Sequence, residues 1–282
     1  MAFTLEKYFA RIGYSREARV DFSTLQSLHR RHIAAIAFEN LDVLLGREIL
    51  LDDDSIFEKL VTAGRGGYCF EHNALFTRVL KEVGFETQNL AARVLVAKPD
   101  DMPPRTHRLV KVTLDESTWI ADVGFGGLTL SVPLPLKEGA EQASEQGLYR
   151  LEKKQGDYLL MLRQHDHFQP LYRFDLEKQY PGDYLMANHF IATWPDSHFR
   201  HHLMAARHPL DECRLTLVNR RETQHDKPPR QEDLKDNETL YDHLQQRFNI
   251  RLDHPRHGVT RDTFSKVMDN LLAEEEAAKE GG

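Results

Sequence analysis

The stretch RGGYCFEHN, residues 65–73, puts Cys69 between a glycine pair and the start of an apolar run. The pair Gly66-Gly67 predicts a turn that residues with a side chain enter less freely. From about Phe70 to Val83 the apolar residues return with helical spacing, and Gly84 can cap the end of such a helix. The stretch therefore predicts a helix that begins at or next to the cysteine.

A cysteine at the start of a helix is a candidate nucleophile. The partial positive charge of a helix N-terminus favours the thiolate over the thiol. The unpaired N–H groups of the first turn could also bind a developing oxyanion. The alternative is that Cys69 is a small buried core residue, which is the commoner fate of a lone cysteine.

Length and composition limit the classes of protein to consider. With 282 residues and 40% apolar content, the chain can bury a core as one large domain or two to three small ones. A net charge of -7 argues against a general nucleic-acid binder. Two cysteines, Cys69 and Cys213, make no disulfide framework, which predicts a reducing compartment.

Targeting signals and membrane spans are not expected. The start MAFTLEKYFARIGY lacks the apolar stretch of a signal peptide, and no run reaches the ~20 apolar residues of a membrane helix. We expect a cytoplasmic protein without a membrane partner.

The first third of the chain is predicted to be helical. Its apolar residues recur at the i, i+3, i+4, i+7 positions of one helix face. The acidic triplet at 52–54 suits a helix N-terminus through capping and the helix dipole. Helices are expected over Leu5 to Ile12, from about Ser23 to Ile36, after residues 52–54 and over 70–83.

The middle third changes to strands, and the last third is mixed. RVLVA, RLVKVTL, STWIADV and FQPLYRFD are short β-type runs, and a hairpin is predicted around Gln155-Gly156. Several such strands in succession favour an antiparallel sheet or a small barrel. In the last third CRLTLVNR is strand-like, NETLYDHLQQRF and RDTFSKVMDNLL are helix-like, and the polar residues 222–238 read as a loop.

Two further residues complete a possible catalytic group with Cys69. His107 follows a Pro-Pro loop at the start of a strand, where a rigid sheet can aim it. Asp122 lies in the apolar run STWIADV of the neighbouring strand, where an unpartnered carboxylate would be costly. A cysteine nucleophile needs a base, and the base needs an orienting group, so we predict a Cys69–His107–Asp122 triad. The alternatives are an exposed loop histidine at 107 and a carboxylate at 122 bonded only to backbone amides of the turn.

The same motifs resemble those of a known enzyme family. RGGYCFEHN, the histidine of THRLV and the DVGFGG motif look like the signature of the arylamine N-acetyltransferases. AFENLDVLL resembles an earlier family motif and WPDSHFR a later one, so the resemblance runs from about residue 5 to beyond 200. Within the family it is closest to the bacterial N-hydroxyarylamine O-acetyltransferases.

The resemblance implies a fold and a reaction. The implied fold class is α+β, with a helical bundle over 1–85, an antiparallel β-barrel over 86–200 and an α/β lid over 201–282. The implied reaction is ping-pong. Acetyl-CoA transfers its acetyl group to Cys69, and an arylamine, arylhydrazine or N-hydroxyarylamine then takes the acetyl group.

The resemblance also implies binding residues. Phe38, Phe125 and Phe199 would line an aromatic acceptor pocket. Gly126 and Gly127 would leave room for the pantetheine arm of CoA, and no metal is implied. The early motif departs from the family pattern, because the residue before Phe38 is Ala37 and not proline. We expect that departure to soften the loop that holds Phe38.

Two other classes of function stay open. A cysteine hydrolase of the papain or transglutaminase kind also puts cysteine at a helix start, although the gap of 38 residues between Cys69 and His107 is far shorter than the ~130 or more of papain-like proteases. A CoA- or aromatic-binding module without a nucleophile is the second alternative.

The histidine clusters give weaker signals. His165 to His167 and Arg200 to His202 lack the partner pair of a zinc site, and the first is read as exposed polarity. The second, with Arg207 and His208, could supply positive charge for CoA phosphates or be an ordinary solvated surface. Cys213 is expected to be buried.

Overall fold

The computed structural model describes residues 3–144, 146–164 and 166–280, and only the backbone at 275 and 278–280. It has the predicted α+β architecture. The helices are α1 (Leu5–Ile12), α2 (Phe22–Ala35), α3 (Leu41–Leu44), α4 (Asp53–Phe57), α5 (Cys69–Val83), α6 (Pro181–Thr193), α7 (His198–His201), α8 (Asn237–Gln246) and α9 (Arg261–Glu280).

The helices of the first third begin where short polar side chains cap them. The side chain of Thr4 accepts from the backbone N–H of Lys7 at the start of α1, and Asp21 caps α2 in the same way. Asp52 caps α4, which confirms the predicted role of the acidic triplet. Beyond α4 the chain continues as a π-helical stretch, Glu58–Thr62.

Helix α5 begins at Cys69 itself, one residue before the predicted start. Glu71 Oε2 accepts from the backbone N–H of Tyr68 at 3.0 Å, which satisfies one of the free donors at this end. At the other end Gly84 has a φ of 110°, and its N–H bonds to the carbonyls of Leu80 and Lys81. The prediction that Gly84 caps α5 is confirmed.

The strands form two antiparallel sheets. They are β1 (Phe38–Glu39), β2 (Glu86–Val94), β3 (Arg105–Leu114), β4 (Ser117–Ala121), β5 (Leu134–Pro135), β6 (Glu141–Ser144), β7 (Gly147–Lys154), β8 (Asp157–Gln164), β9 (His167–Phe174), β10 (Met204–Arg207), β11 (Leu215–Val218), β12 (Arg221–Gln224) and β13 (Arg230–Asp233).

The larger sheet has eight strands in the order β5-β4-β3-β2-β9-β8-β7-β6 and is nearly closed into a barrel. The hairpin predicted around Gln155-Gly156 is confirmed as β7–β8. In the β3–β4 hairpin Val110 pairs with Ala121, so the strand that carries His107 lies beside the strand that ends at Ala121. Asp122 is the first residue after β4 and not inside it, which corrects the predicted position.

The smaller sheet joins the last third of the chain to the first. Its order is β1-β10-β11-β12-β13, and Phe38 of β1 pairs with Ala206 of β10. The loop predicted over 222–238 is wrong in part, because β12 and β13 fall largely within it. Its many charged residues hid the two strands. Helix α6 was also not predicted, because it is apolar on most sides and shows no helical stripe.

The apolar core is divided among these parts. One cluster lies between α1, α2, α4 and α5, a second fills the barrel, and a third lies between the smaller sheet and α8 and α9. A fourth, smaller cluster surrounds Cys69 and includes Tyr68, Phe70 and Tyr184. The division 1–85, 86–200 and 201–282 remains a prediction.

A buried ionic network holds the chain ahead of Cys69. Lys59 Nζ lies 2.7 Å from Asp42 and 2.7 Å from Glu71, and both carboxylates are almost fully buried. Arg65 Nη2 lies 2.8 Å from Glu39 and 3.3 Å from Asp42. Attraction to these carboxylates outweighs burial and raises the pKa of Lys59 above its ordinary value. Glu71 therefore joins the network to the start of α5.

We predict that Lys59→Met destabilises the fold by about 3–5 kcal/mol, because it leaves Glu71 buried without a cation and removes one of the cations that contact Asp42. Lys266→Met is the matched control, since Lys266 pairs with Asp262 at 2.8 Å on the surface. The control should change the free energy of unfolding little. Urea denaturation of both variants measures the difference, and equal losses would contradict a structural role for the network.

Candidate active site

Cys69 is the first residue of α5 and only 5% exposed. Its Sγ lies 3.7 Å from the carbonyl oxygen of Thr106, the residue before His107 on β3. The start of the helix is thus pressed against the start of the strand. The glycine pair, the helix and the strand bring the predicted nucleophile to the predicted base.

His107 is 2% exposed, so the alternative of an exposed loop histidine is wrong. Its Nε2 lies 2.8 Å from Asp122 Oδ2. The side chain of Cys69 lies close enough to raise the pKa of His107. Because Nε2 faces the carboxylate, Nδ1 is the ring nitrogen left for the sulfur. The three predicted residues therefore lie in one chain of contacts.

Asp122 is completely buried, and each carboxylate oxygen has a partner. Oδ2 faces His107, while Oδ1 accepts from Asn73 Nδ2 and from the backbone N–H of Gly124, both at 3.0 Å. The bond to a turn amide that we considered as an alternative is therefore present, together with the bond to His107. The backbone N–H of Asp122 donates to His29 Nε2 at 3.3 Å.

Asn73 and His29 are site residues that the sequence interpretation missed. Asn73 belongs to the opening motif, and it also accepts from Val123 N at 3.1 Å. Its place one helical turn after Cys69 was the available signal, because residues four apart share a helix face. Nothing local distinguished His29 among fifteen histidines.

The charges of the triad are set by burial and by one another. Burial alone would lower the pKa of His107, but the charge of Asp122, the hydrogen bond to Asp122 and the side chain of Cys69 outweigh it and raise that pKa to about 10. Burial would raise the pKa of Asp122, but His107 and Asn73 hold it below its ordinary value. Both shifts favour the form of the pair in which His107 is an imidazolium and Asp122 a carboxylate. Burial lowers the pKa of His29 to about 4, so His29 is neutral and can accept the bond from Asp122.

The three predicted pocket phenylalanines are half-buried and divide into two groups. The ring of Phe125 lies edge-on to that of His107, with centroids 4.8 Å apart. The ring centroids of Phe38 and Phe199 lie 6.1 Å apart, and both rings pack against the cluster that contains Cys69. Tyr172, which was not predicted, packs its ring against both Phe125 and His107.

Gly126 and Gly127 form a short 3-10 turn against other parts of the chain. A Cβ at Gly126 would lie 3.5 Å from the ring of Phe38, and one at Gly127 would lie 2.7 Å from Thr216 Cγ2. The Gly127 carbonyl accepts from Arg214, and the Gly126 carbonyl is bonded to His208. Thr216 therefore occupies the space beside Gly127, and the predicted contact with pantetheine remains a prediction.

Ala37, where the sequence departs from the family pattern, is held by tertiary hydrogen bonds. The Ala37 side chain is buried, and its carbonyl bonds to Gly67 N at 3.4 Å and to His72 Nε2 at 3.1 Å. Phe38 then pairs with β10 as part of the smaller sheet. The expected softening at Phe38 remains a prediction, although these bonds hold the segment on both sides of Ala37.

The weaker clusters give no support for a metal site. Across 3–144, 146–164 and 166–280 there is no group of three His, Cys, Asp or Glu side chains that could hold a metal ion. His165 of the first cluster lies outside the described residues. Arg207 donates to the carbonyls of Ala34 and Arg247, so its charge is used inside the protein. The prediction that Cys213 is buried is wrong, since it is partly exposed.

No helix of the described residues is both long and apolar enough to cross a membrane.

Comparisons with known proteins agree with this geometry. A family model described as N-acetyltransferase matches residues 21–257. The chain is 47% identical to the arylamine N-acetyltransferase of Escherichia coli, covering 98% of this chain and 99% of that protein. It is 43% identical to the arylamine N-acetyltransferase / N-hydroxyarylamine O-acetyltransferase of Salmonella typhimurium, with the same coverage.

Solved structures are similar over nearly the full length. The arylamine N-acetyltransferase of Salmonella typhimurium matches with a TM-score of 0.91 at 43% identity, covering 94% of this chain and 98% of that one. The Mycobacterium marinum arylamine N-acetyltransferase in complex with CoA matches with a TM-score of 0.88 at 33% identity, covering 95% and 99%.

We predict that Gly124→Ala disrupts the contact on which the site is built. A Cβ there would lie 2.8 Å from Cys69 Cα and 2.9 Å from Asn73 Nδ2, so backbone must shift. The expected cost is about 1–3 kcal/mol of unfolding free energy. Gly182→Ala is the control, because a Cβ there meets open space. Thermal unfolding compares the two, and an unchanged melting temperature in Gly124→Ala would refute the close approach.

We also predict a pH-dependent contribution of the His107–Asp122 pair to stability. The folded pKa of His107 is about 10, against an ordinary value near 6.5. The contribution is therefore complete below pH ~6.5 and disappears as the pH rises through ~10. Asp122→Asn removes it, so the gap in unfolding free energy between the native protein and this variant should narrow across that window. Parallel curves from urea denaturation would show that the pair is not coupled.

Proposed function

The chain belongs to the arylamine N-acetyltransferase family, and we propose that Cys69 carries an acetyl group from acetyl-CoA to an aromatic amine. The observation that supports this is the Cys69–His107–Asp122 chain of contacts at the start of α5. The complex of the Mycobacterium marinum relative with CoA supports acetyl-CoA as the donor, because CoA is what remains after the acetyl group has been transferred.

In the first half-reaction the Cys69 sulfur attacks the carbonyl carbon of the acetyl thioester. The ring of His107 lies beside the attacking sulfur and can hold the proton that the thiol loses. The carbonyl oxygen becomes an oxyanion, for which the N–H groups of the first turn of α5 are the nearest helix donors. The bond from the carbonyl carbon to the CoA sulfur then breaks, and His107 gives its proton to the leaving CoA thiolate.

In the second half-reaction the amine nitrogen attacks the acetyl carbon on Cys69. Neutral His107 takes the proton that the amine loses, and the Cys69 sulfur leaves as the thiolate beside the renewed imidazolium. Asp122 keeps Nε2 of His107 protonated, so that Nδ1 is the nitrogen that exchanges protons. Asn73 and Gly124 donate to Oδ1 of Asp122, and so they fix the direction in which Oδ2 faces His107.

The acceptor is an arylamine, and we include N-hydroxyarylamines because the name of the Salmonella typhimurium relative contains both activities. Phe125 would stack on the acceptor ring beside His107, and Phe38 with Phe199 would form the opposite wall. Family membership favours acetyl transfer over the hydrolase or transglutaminase alternative and over a binding module without a nucleophile.

The direct test is incubation with acetyl-CoA alone, followed by peptide mass spectrometry. We predict one acetyl group on Cys69, none on Cys213, and release of CoA that stops at one equivalent per chain. Addition of an arylamine should remove the acetyl group. Cys69→Ala should abolish both steps, while Cys213→Ala should behave as the native protein. Acetylation of an arylamine by Cys69→Ala at the native rate would overturn the proposal, and so would release of ammonia or a peptide fragment.

We predict that Phe125→Ala weakens acceptor binding while acetylation of Cys69 persists. Aromatic stacking contributes about 0.5–1.5 kcal/mol beyond area burial, so the Michaelis constant for arylamines should rise about twofold to tenfold. Phe190→Ala is the control, because Phe190 stacks on Trp194 of the exposed face of α6. Unchanged acceptor kinetics in Phe125→Ala would show that this ring does not contact the acceptor.

A further inference from the structure

A cavity of about 620 Å³ lies between α5, the start of α6 and strands β2 and β3. Neither Cys69 nor His107 lines it, but Arg108 does. Successive side chains of a strand point to opposite faces, so the cavity lies across β3 from the side that carries His107. It is therefore separate from the aromatic acceptor pocket.

Arg108 is a buried cation without a counterion. It is 9% exposed, and no carboxylate among the described residues lies within 4.0 Å of its guanidinium. Arg108 Nη2 donates to Asn89 Oδ1 at 3.0 Å, and its Cζ lies 4.5 Å from the ring centroid of Tyr184. Its Nε is buried and has no partner in the described parts of the chain. Burial lowers the pKa of Arg108, and the charges of Tyr184, Asp53 and Cys69 oppose that shift.

Two buried cations of the first third have different surroundings. Lys59 and Arg65 each contact two carboxylates, as described above. Leaving a buried charge unpaired is costly, and the cost is removed when an anion binds. Arg108 therefore points to an anionic ligand.

The lining of the cavity limits the class of anion. Leu51, Ala74, Tyr184 and Leu185 give an apolar wall, which suits a ligand with a compact hydrocarbon body. The other charged side chains carry a net charge of -1, because Arg78 and Lys81 are accompanied by three acids. Those acids are Asp52, Asp53 and Glu82.

We propose that this cavity binds a small monocarboxylate, with its carboxylate on Arg108 and its hydrocarbon body against Leu51 and Leu185. A planar guanidinium matches a carboxylate in geometry. The three acids of the lining disfavour ligands with several negative charges, such as nucleotides or CoA itself. The volume accommodates a ring-sized acid.

The test uses cyclohexanecarboxylate as the probe and isothermal titration calorimetry of the full chain. We expect one molecule bound per chain, and binding of the neutral cyclohexanecarboxamide about tenfold weaker or worse, since a hydrogen bond to a charged group is lost. Saturating aniline should leave the affinity unchanged, because an acceptor occupies the other side of β3.

Three variants locate the site. Arg108→Met should abolish binding, and Lys111→Met, on the same strand, should retain it. Leu185→Trp fills the cavity from α6 without altering Arg108, and since Leu185 is 54% exposed the fold should tolerate it. This variant should also abolish binding and keeps the test informative if Arg108→Met does not fold.

The test measures binding and not turnover. The carbonyl of Arg108 accepts from Asn73, which also bonds Asp122, so a substitution at Arg108 can change turnover without any change in ligand binding. No measurable binding to the native chain would overturn the proposal. Equal binding of acid and amide, competition by aniline, or full binding in Leu185→Trp would also overturn it.

Discussion

The close contact between the first turn of α5 and the turn after β4 is the constraint on which the site depends. Gly124 lies so near to Cys69 and Asn73 that no side chain fits there. The side-chain amide of Asn73 donates through Nδ2 to Asp122 and accepts through Oδ1 from the backbone N–H of Val123. Because the helix and the turn are held together in this way, the nucleophile and the orienting carboxylate cannot shift independently.

The buried charges extend this constraint to the rest of the fold. Glu71 bonds the backbone ahead of Cys69 and also the cation of Lys59, so the helix start is tied to the ionic network. The smaller sheet contributes through β1, which brings Phe38 beside the turn at Gly126. The site is thus assembled from all three parts of the chain, and each part supplies a contact that the others cannot make.

Local sequence patterns were enough to select Cys69, His107 and Asp122, which the structure brings together. Cys69 follows from a glycine pair before a helix, His107 from a strand start after a loop, and Asp122 from a carboxylate next to an apolar run. The family resemblance added the order of the motifs and the fold. What escaped prediction was made by contacts between distant segments. His29 reaches Asp122 across 93 residues, and the ring of Tyr172 meets that of His107 from another strand. Strands β12 and β13 were missed because they are polar, and β13 also lies at the edge of its sheet.

The most direct test of the account compares the two cysteines in one protein. Cys69 is buried and Cys213 is partly exposed, so exposure alone predicts that iodoacetamide modifies Cys213 first. Burial and Asp226 also raise the pKa of Cys213, which slows its reaction. We predict that the native protein is alkylated at Cys69 first at neutral pH, and that His107→Gln reverses the order. Faster modification of Cys213 in the folded native protein would contradict an activated Cys69.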